Sequence, residues 1–313
     1  MKKIAFLILA HSDPKHFFKL INSLGKNCDI YVYIDKKVNI LDFTPKIKLS
    51  NLFYIQNRIN ISWAGISVVD AQMRLMAEML KNKEKYTHAV FLSGSDYPIK
   101  NMTEIYYYFS SQENKEFIKF IDMRESPEHY MNHINYKWFK EPYFDFKNNN
   151  FNLIDKGIRS FLNKLKIRNK WSSGMIPYFG SNWCALTMNC CQYVYDYHSQ
   201  NEFFRKMNRF SMSPDEHYIH TIVGNSYYKM NSFGVQAFEG RGTYRMANFH
   251  IIDKSLSKWF TIYDWEEIIK SDKLFVRKVR SYDGIDLVNK INEELLNISN
   301  NTVKNNCLNQ SKV

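Results

Sequence analysis

The stretch Ala89-Val-Phe-Leu-Ser-Gly-Ser-Asp96-Tyr-Pro-Ile-Lys100 constrains this chain most. An apolar run of strand length stops in Ser93-Gly94-Ser95-Asp96, a cluster of turn formers, and Pro98 then fixes its own φ and biases Tyr97 toward extended backbone. A buried strand whose C-terminal end opens into a small polar loop belongs to open α/β sheets, which bind ligands along that edge. Taken alone, the loop reads equally as a structural turn.

The preceding segments build the same sheet. Ile4 to Ala10 is continuously apolar, as in a parallel strand buried on both faces. Asp13 is placed to cap a helix with Pro14 at its first position, and Phe17, Phe18, Leu20, Ile21 and Leu24 recur at helical spacing before Gly25. Asp29 to Ile34 reads as a second strand ending on Asp35-Lys36-Lys37, Leu52 to Ile55 as a short third, and an amphipathic helix from about Ser67 to Lys83 leads into the strand at 89–92. This βαβ order predicts an α/β fold with a mostly parallel central sheet flanked by helices. It puts the loops at 11–13, 35–37, 58–65 and 93–100 on one edge.

Downstream the pattern is less regular. Residues 125–147 are aromatic and basic, and Tyr136 among them is of a type that stacks sugars. Lys156 to Lys170 is a basic segment suited to phosphate or phospholipid, though it reads also as a solvated face. Ser213-Pro214-Asp215-Glu216 precedes an apolar-periodic run and has the form of a capping box. After about Val288 the text turns Asn-rich, and residues 289–313 are expected to form a polar, flexible tail beyond one catalytic domain at 1–288.

Charge narrows the function. With 43 Lys and Arg against 31 Asp and Glu the formal charge is +12, which favours anionic partners, and 16% aromatic residues exclude a disordered chain. The five cysteines show no paired CxxC or Cys/His spacing, so neither a disulfide framework nor a zinc site is indicated. No apolar run approaches the ~18 residues of a transmembrane helix. Met1 to Ala10 has a basic start and an apolar core but no small-residue cleavage motif, and so reads as a first strand rather than a leader.

Taken together, seven segments in order resemble the core-2/I-branching glycosyltransferase family, which includes β-1,6-N-acetylglucosaminyltransferases and peptide O-xylosyltransferases. They are Leu9-Ala-His11-Ser-Asp13-Pro14, Tyr33-Ile-Asp35-Lys36-Lys37, Ser62-Trp63-Ala-Gly65-Ile-Ser67, Leu92-Ser-Gly94-Ser-Asp96-Tyr-Pro98-Ile-Lys100, Gly180-Ser181-Asn-Trp183, Ser213-Pro214-Asp215-Glu216 and Leu274-Phe-Val-Arg277-Lys278. The resemblance implies a GT-A-like fold, with residues 1–100 as the nucleotide-binding half and 101–288 as the acceptor and diphosphate half. It also implies inversion at the anomeric carbon, a UDP-sugar donor, most often UDP-N-acetylglucosamine, and no metal cofactor. Gly94-Ser95-Asp96 stands where related folds carry an Asp-x-Asp metal motif, and one carboxylate chelates a divalent cation poorly.

By the same resemblance Glu216 is the general base, kept ionised by a helix N-terminus, and Asp215 is a structural cap or an acceptor contact. Lys278 contacts the donor diphosphate, with Lys258, Lys254 or Arg245 as its basic partner. His11, Asp35 and Arg58 lie on the uridine and ribose side, Gly94 lets the donor approach, and Asp96 hydrogen-bonds locally or toward sugar. Phe249 takes the place of an acceptor-stacking aromatic residue, while Trp63 and Trp183 read as core packing. Animal members carry a membrane anchor, a stem and several disulfides, so the expectation here is a bacterial relative in the cytoplasm, at most peripheral on an anionic membrane. Its acceptor would be a lipid-linked or lipopolysaccharide-type glycan. UDP-xylose is the alternative donor, and a non-enzymatic glycan or nucleic-acid binding module the competing class; no nucleic-acid recognition pattern is visible.

Overall fold

A computed structural model describes residues 2–142, 149–171 and 174–298. The strands among them are β1 Lys3–Ala10, β2 Asp29–Ile34, β3 Leu52–Tyr54, β4 Tyr86–Ser93, β5 Asp96–Pro98, β6 Ile121–Asp122, β7 Tyr178–Phe179, β8 Ala185–Thr187, β9 His250–Ile252 and β10 Phe275–Arg277. The central sheet has the order β3-β2-β1-β4-β8, parallel except for β8.

Side-chain alternation along β1 sends Ile4, Phe6 and Ile8 to one face and Ala5 and Leu7 to the other. The first face packs on Phe17, Leu20 and Leu24 of the helix Pro14–Leu24, the second on Val69, Met73 and Met76 of the helix Ile66–Leu80. Burial on both faces explains why the strand sequences are continuously apolar. Asp13 caps the first helix as expected, accepting from His16 N at 3.0 Å. Gly65 caps the second with no side chain of its own; Glu141 Oε1 accepts from Ser67 N at 2.8 Å instead.

Strand order reverses between β1 and β4, which makes their C-terminal ends the switch point of the sheet. Beyond β4 the chain turns at Gly94, whose N donates to Leu9 O at 2.8 Å, and β5 leaves to join a second sheet of order β5-β10-β9. Phe275, Val276 and Leu287 share one core with Phe6 and Ile8, so residues from both halves pack together.

The expected tail boundary at 288 falls inside the helix Ile285–Glu294. Leu287, Val288 and Ile291 are buried, and Asn292 Oδ1 accepts from Tyr97 Oη at 2.8 Å. Helical spacing of Leu287, Val288 and Ile291 wins over the Asn-rich composition around them. The rest of the expected tail, from residue 299, lies outside the described residues, as does Cys307; Cys28, Cys184, Cys190 and Cys191 are free and buried.

Candidate active site

A cleft of about 650 Å³ opens at the switch point. His11 follows β1, Asp35 and Lys37 follow β2, and Ser93 ends β4; these loops meet Asp215 and Glu216 and the residues Lys258, Arg277 and Lys278 around the one cavity. A second groove, near 400 Å³, runs beside the helix Ile66–Leu80 around a bidentate Asp70–Arg205 pair with distances of 2.8 and 2.6 Å. It touches none of the sheet-edge loops.

The cationic end is built by the β5–β10 pairing, which sets Arg277 opposite Asp96. Arg277 Nη1 lies 2.8 Å from Asp96 Oδ1 and also donates to Ser93 Oγ, while its guanidinium stacks 4.3 Å from the Trp183 ring. Asp96 is wholly buried and further engaged by His250 Nε2 at 3.2 Å and Ser93 N at 2.8 Å. Burial opposes its ionisation, but Arg277 and His250 outweigh that and hold the carboxyl well below its usual range. Lys278 lies beside Arg277 and 5.6 Å from the Trp259 ring; burial, then Arg277, pull its pKa below that of an ordinary lysine. Lys258 reaches the same cleft but is paired with Asp264 at 2.6 Å.

The carboxylates sit on the single turn Pro214–Glu216. Ser213, with φ of 48°, caps nothing with its side chain, so the expected capping box is absent; its N donates to Ala64 O at 3.1 Å and docks the turn against the loop before the helix Ile66–Leu80. Glu216 O accepts from Gly180 N at 2.8 Å, which fixes the other side of the turn. Asn182 Nδ2 donates to Asp215 Oδ2 at 2.8 Å, and Thr243 lines the same cleft as Glu216.

Both carboxyls face the cleft but are walled by protein elsewhere, so burial raises their pKa values, and for Glu216 the neighbouring Asp215 charge adds to it. The expectation that a helix N-terminus keeps Glu216 strongly acidic is therefore corrected. A three-residue turn carries little dipole, and desolvation dominates. A raised pKa makes Glu216 a stronger proton acceptor once ionised.

On the sheet-edge side, Asp35 is buried and held by Lys37 N at 3.0 Å, Ile61 N at 3.3 Å and Lys37 Nζ at 3.3 Å. His11 is biased to the neutral form by burial, against the pull of Asp35.

Other expected contacts lie elsewhere. Arg58 Nη1 donates to Asp35 O at 3.3 Å and Val38 O at 3.2 Å, a staple for the loop after β2 and not part of the cleft lining. A Cβ at Gly94 would come within 2.7 Å of Ala10 Cβ, so the approach of two strand ends requires this glycine. Asp96 is buried against Arg277 and does not itself line the cleft. Phe249 is buried between Phe109 and Phe275, and Tyr136 lies under the Arg168 guanidinium at 4.8 Å; neither lines the cleft. Conversely Trp63 is 79% exposed and lines the cleft with Trp183, although both read as core from sequence. Arg277, Lys37, Asn182, Thr243 and His133 also line the cleft and were not singled out; Arg277, Lys37 and Asn182 stand inside the quoted family segments, whereas Thr243 and His133 carried no such signal.

Among the described residues no group of three or more His, Cys, Asp or Glu side chains is arranged to hold a metal ion. Asp96 has no free oxygen to offer one.

The mostly parallel sheet flanked by helices and the cleft at its switch point match a GT-A-like α/β architecture. The profile described as Core-2/I-Branching enzyme matches residues 4–234, and the chain belongs to that family. It is 20% identical over 302 residues to "Xylosyltransferase oxt" of Drosophila pseudoobscura pseudoobscura, covering 90% of this chain and 32% of that one. It is 23% identical to the human "Probable beta-1,3-galactosyl-O-glycosyl-glycoprotein beta-1,6-N-acetylglucosaminyltransferase 7", covering 70% of this chain and 49% of that one. With the human "N-acetyllactosaminide beta-1,6-N-acetylglucosaminyl-transferase" the identity is 20%, over 70% and 52% of the two chains. The chain thus spans a third to a half of the length of these relatives.

Proposed function

We propose that this chain is an inverting glycosyltransferase that moves a sugar from a UDP-sugar to a hydroxyl of a glycan acceptor, without a metal ion. One observation carries the reading: the Arg277–Lys278 cations and the Asp215–Glu216 carboxyls line the same cleft at the switch point of the sheet. Glu216 accepts the proton of the acceptor hydroxyl as that oxygen bonds to C1 on the face opposite UDP. The C1–O bond breaks, and the electron pair leaves with the diphosphate, where Lys278 and Arg277 meet the developing charge. Fixing Arg277 on Asp96 beforehand spares reorganisation during the reaction.

The donor in this reading is UDP-N-acetylglucosamine, giving a β-linked product, with UDP-xylose the alternative. The names of the relatives support both donors equally. The acceptor is a lipid-linked or surface-polysaccharide glycan, and the enzyme works on the cytoplasmic side. Thermal shift against UDP-N-acetylglucosamine, UDP-xylose and UDP without metal, followed by linkage analysis of the product, tests this. A shift with one UDP-sugar and a β-linked product support the reading; binding of oligonucleotides with no response to any UDP-sugar contradicts it.

A further inference from the structure

The helix Asn149–Lys164 is docked the wrong way round for a helix of a water-soluble fold. At 100° per residue, Leu153, Ile154, Ile158 and Phe161 fall within an arc of about 140°, and Leu165 follows in the turn after the helix. They are between 50% and 66% exposed, and nothing covers them among the described residues. The opposite arc holds the helix to the domain through polar groups. Asp155 is buried and pairs with Arg159 at 2.7 Å, Arg159 Nη1 donates to Lys140 O at 3.0 Å, and Asn163 Oδ1 accepts from Phe139 N at 2.8 Å. The apolar stripe faces outward because the polar stripe is used for anchorage.

Charge identifies what the stripe meets. Lys156, Lys164, Lys166, Arg168 and Lys170 are exposed along and just after the helix, and the one carboxylate between 153 and 170, Asp155, is buried and neutralised. Five outward apolar side chains bordered by cations, with no exposed anion among them, match an anionic bilayer surface: acyl chains take the stripe and headgroup phosphates the lysines. The helix also adjoins the active cleft. Arg159 holds Lys140, and Lys140 Nζ lies 5.3 Å from the ring of Trp63 at the cleft wall.

We propose that residues 153–170 form a docking face for anionic lipid that sets the cleft beside the membrane. This face stands independently of the transfer reaction. The test is co-sedimentation of the full chain with vesicles of phosphatidylcholine alone or with roughly a third phosphatidylglycerol. The chain should sediment with the anionic vesicles, be released by salt, and stay in solution with the neutral ones. Phe161→Glu with Leu165→Glu, both at exposed positions, should weaken binding about tenfold or more while the melting temperature holds. Lys156→Glu with Lys164→Glu should weaken it separately, which guards against a folding defect in the first variant. Absence of binding to anionic vesicles, or equal binding by wild type and both variants, overturns the proposal. So does a dimer that the Phe161 and Leu165 changes dissociate without any vesicle binding, because the face would then belong to a second copy.

Discussion

Arg277 Nη1 stands 2.8 Å from Asp96 Oδ1 across the antiparallel β5–β10 pair, and this contact decides what the loop after β4 does. The loop does not expose its carboxylate to the cleft. It buries that group to aim a guanidinium, which stacks on Trp183 and lines the cleft beside Lys278.

Asp96 should therefore behave as a structural anion. Asp96→Ala leaves Arg277 without its partner and should cost about 3–5 kcal/mol in denaturant unfolding. The folded pKa is depressed, so the contribution is present above the unfolded value of 3.8 and is lost as pH falls through the folded one. Wild-type stability should drop on acidification in that window, and the variant should show a flatter dependence.

Gly94→Ala separates packing from donor contact. An added Cβ within 2.7 Å of Ala10 Cβ forces the strand ends apart, so unfolding free energy should fall by about 1–3 kcal/mol. KM for the donor in the folded fraction should be unchanged.

Lys278→Ala should lower kcat by about 10²–10³-fold with a smaller change in donor KM, since its charge matters most as the diphosphate leaves. Steady-state kinetics with a saturating acceptor measure this.

Glu216 links activity and stability in opposite directions. Its folded pKa lies above the ordinary 4.5, through burial and then Asp215. The base must be ionised, so the acid limb of kcat/KM should lie above the usual carboxylate range. A raised carboxyl stabilises the fold fully below its unfolded pKa and loses that contribution as pH rises through the folded one. Glu216→Gln, which stays neutral, should therefore melt at a higher temperature than wild type near neutral pH.

Deleting the residues after Val288 should destabilise the whole domain, by about 3 kcal/mol or more, because it removes buried Ile291 and the Asn292–Tyr97 hydrogen bond. Calorimetry of the truncated chain checks that the domain extends past 288.

The sheet was legible because a doubly buried parallel strand leaves a continuous apolar run, as in Ile4 to Ala10, and because Asp13 and Pro14 mark a helix start. The loops that carry His11 and Asp35 followed from the strand-end rule, and the two residues themselves from the family resemblance. What escaped depends on partners distant in sequence. Arg277 reaches Asp96 only when β10 returns beside β5, so the loop's carboxylate read as bonding locally or toward sugar. Phe249 and Trp63 exchanged places between surface and core for a similar reason, since a ring's side chain type does not say which wall it joins. The helix at 149–164 reverses the usual rule that the apolar stripe faces inward, and its buried Asp155–Arg159 pair gave no signal apart from a basic segment.

UDP release from a UDP-sugar in the presence of EDTA, compared between wild type and Glu216→Gln, tests the central claim most directly. Turnover by wild type in EDTA, with at least a 10²-fold loss in Glu216→Gln and donor binding retained, is the expected result. Turnover that stops when metal is chelated, or that survives in Glu216→Gln, would contradict a metal-free transfer driven by this carboxylate.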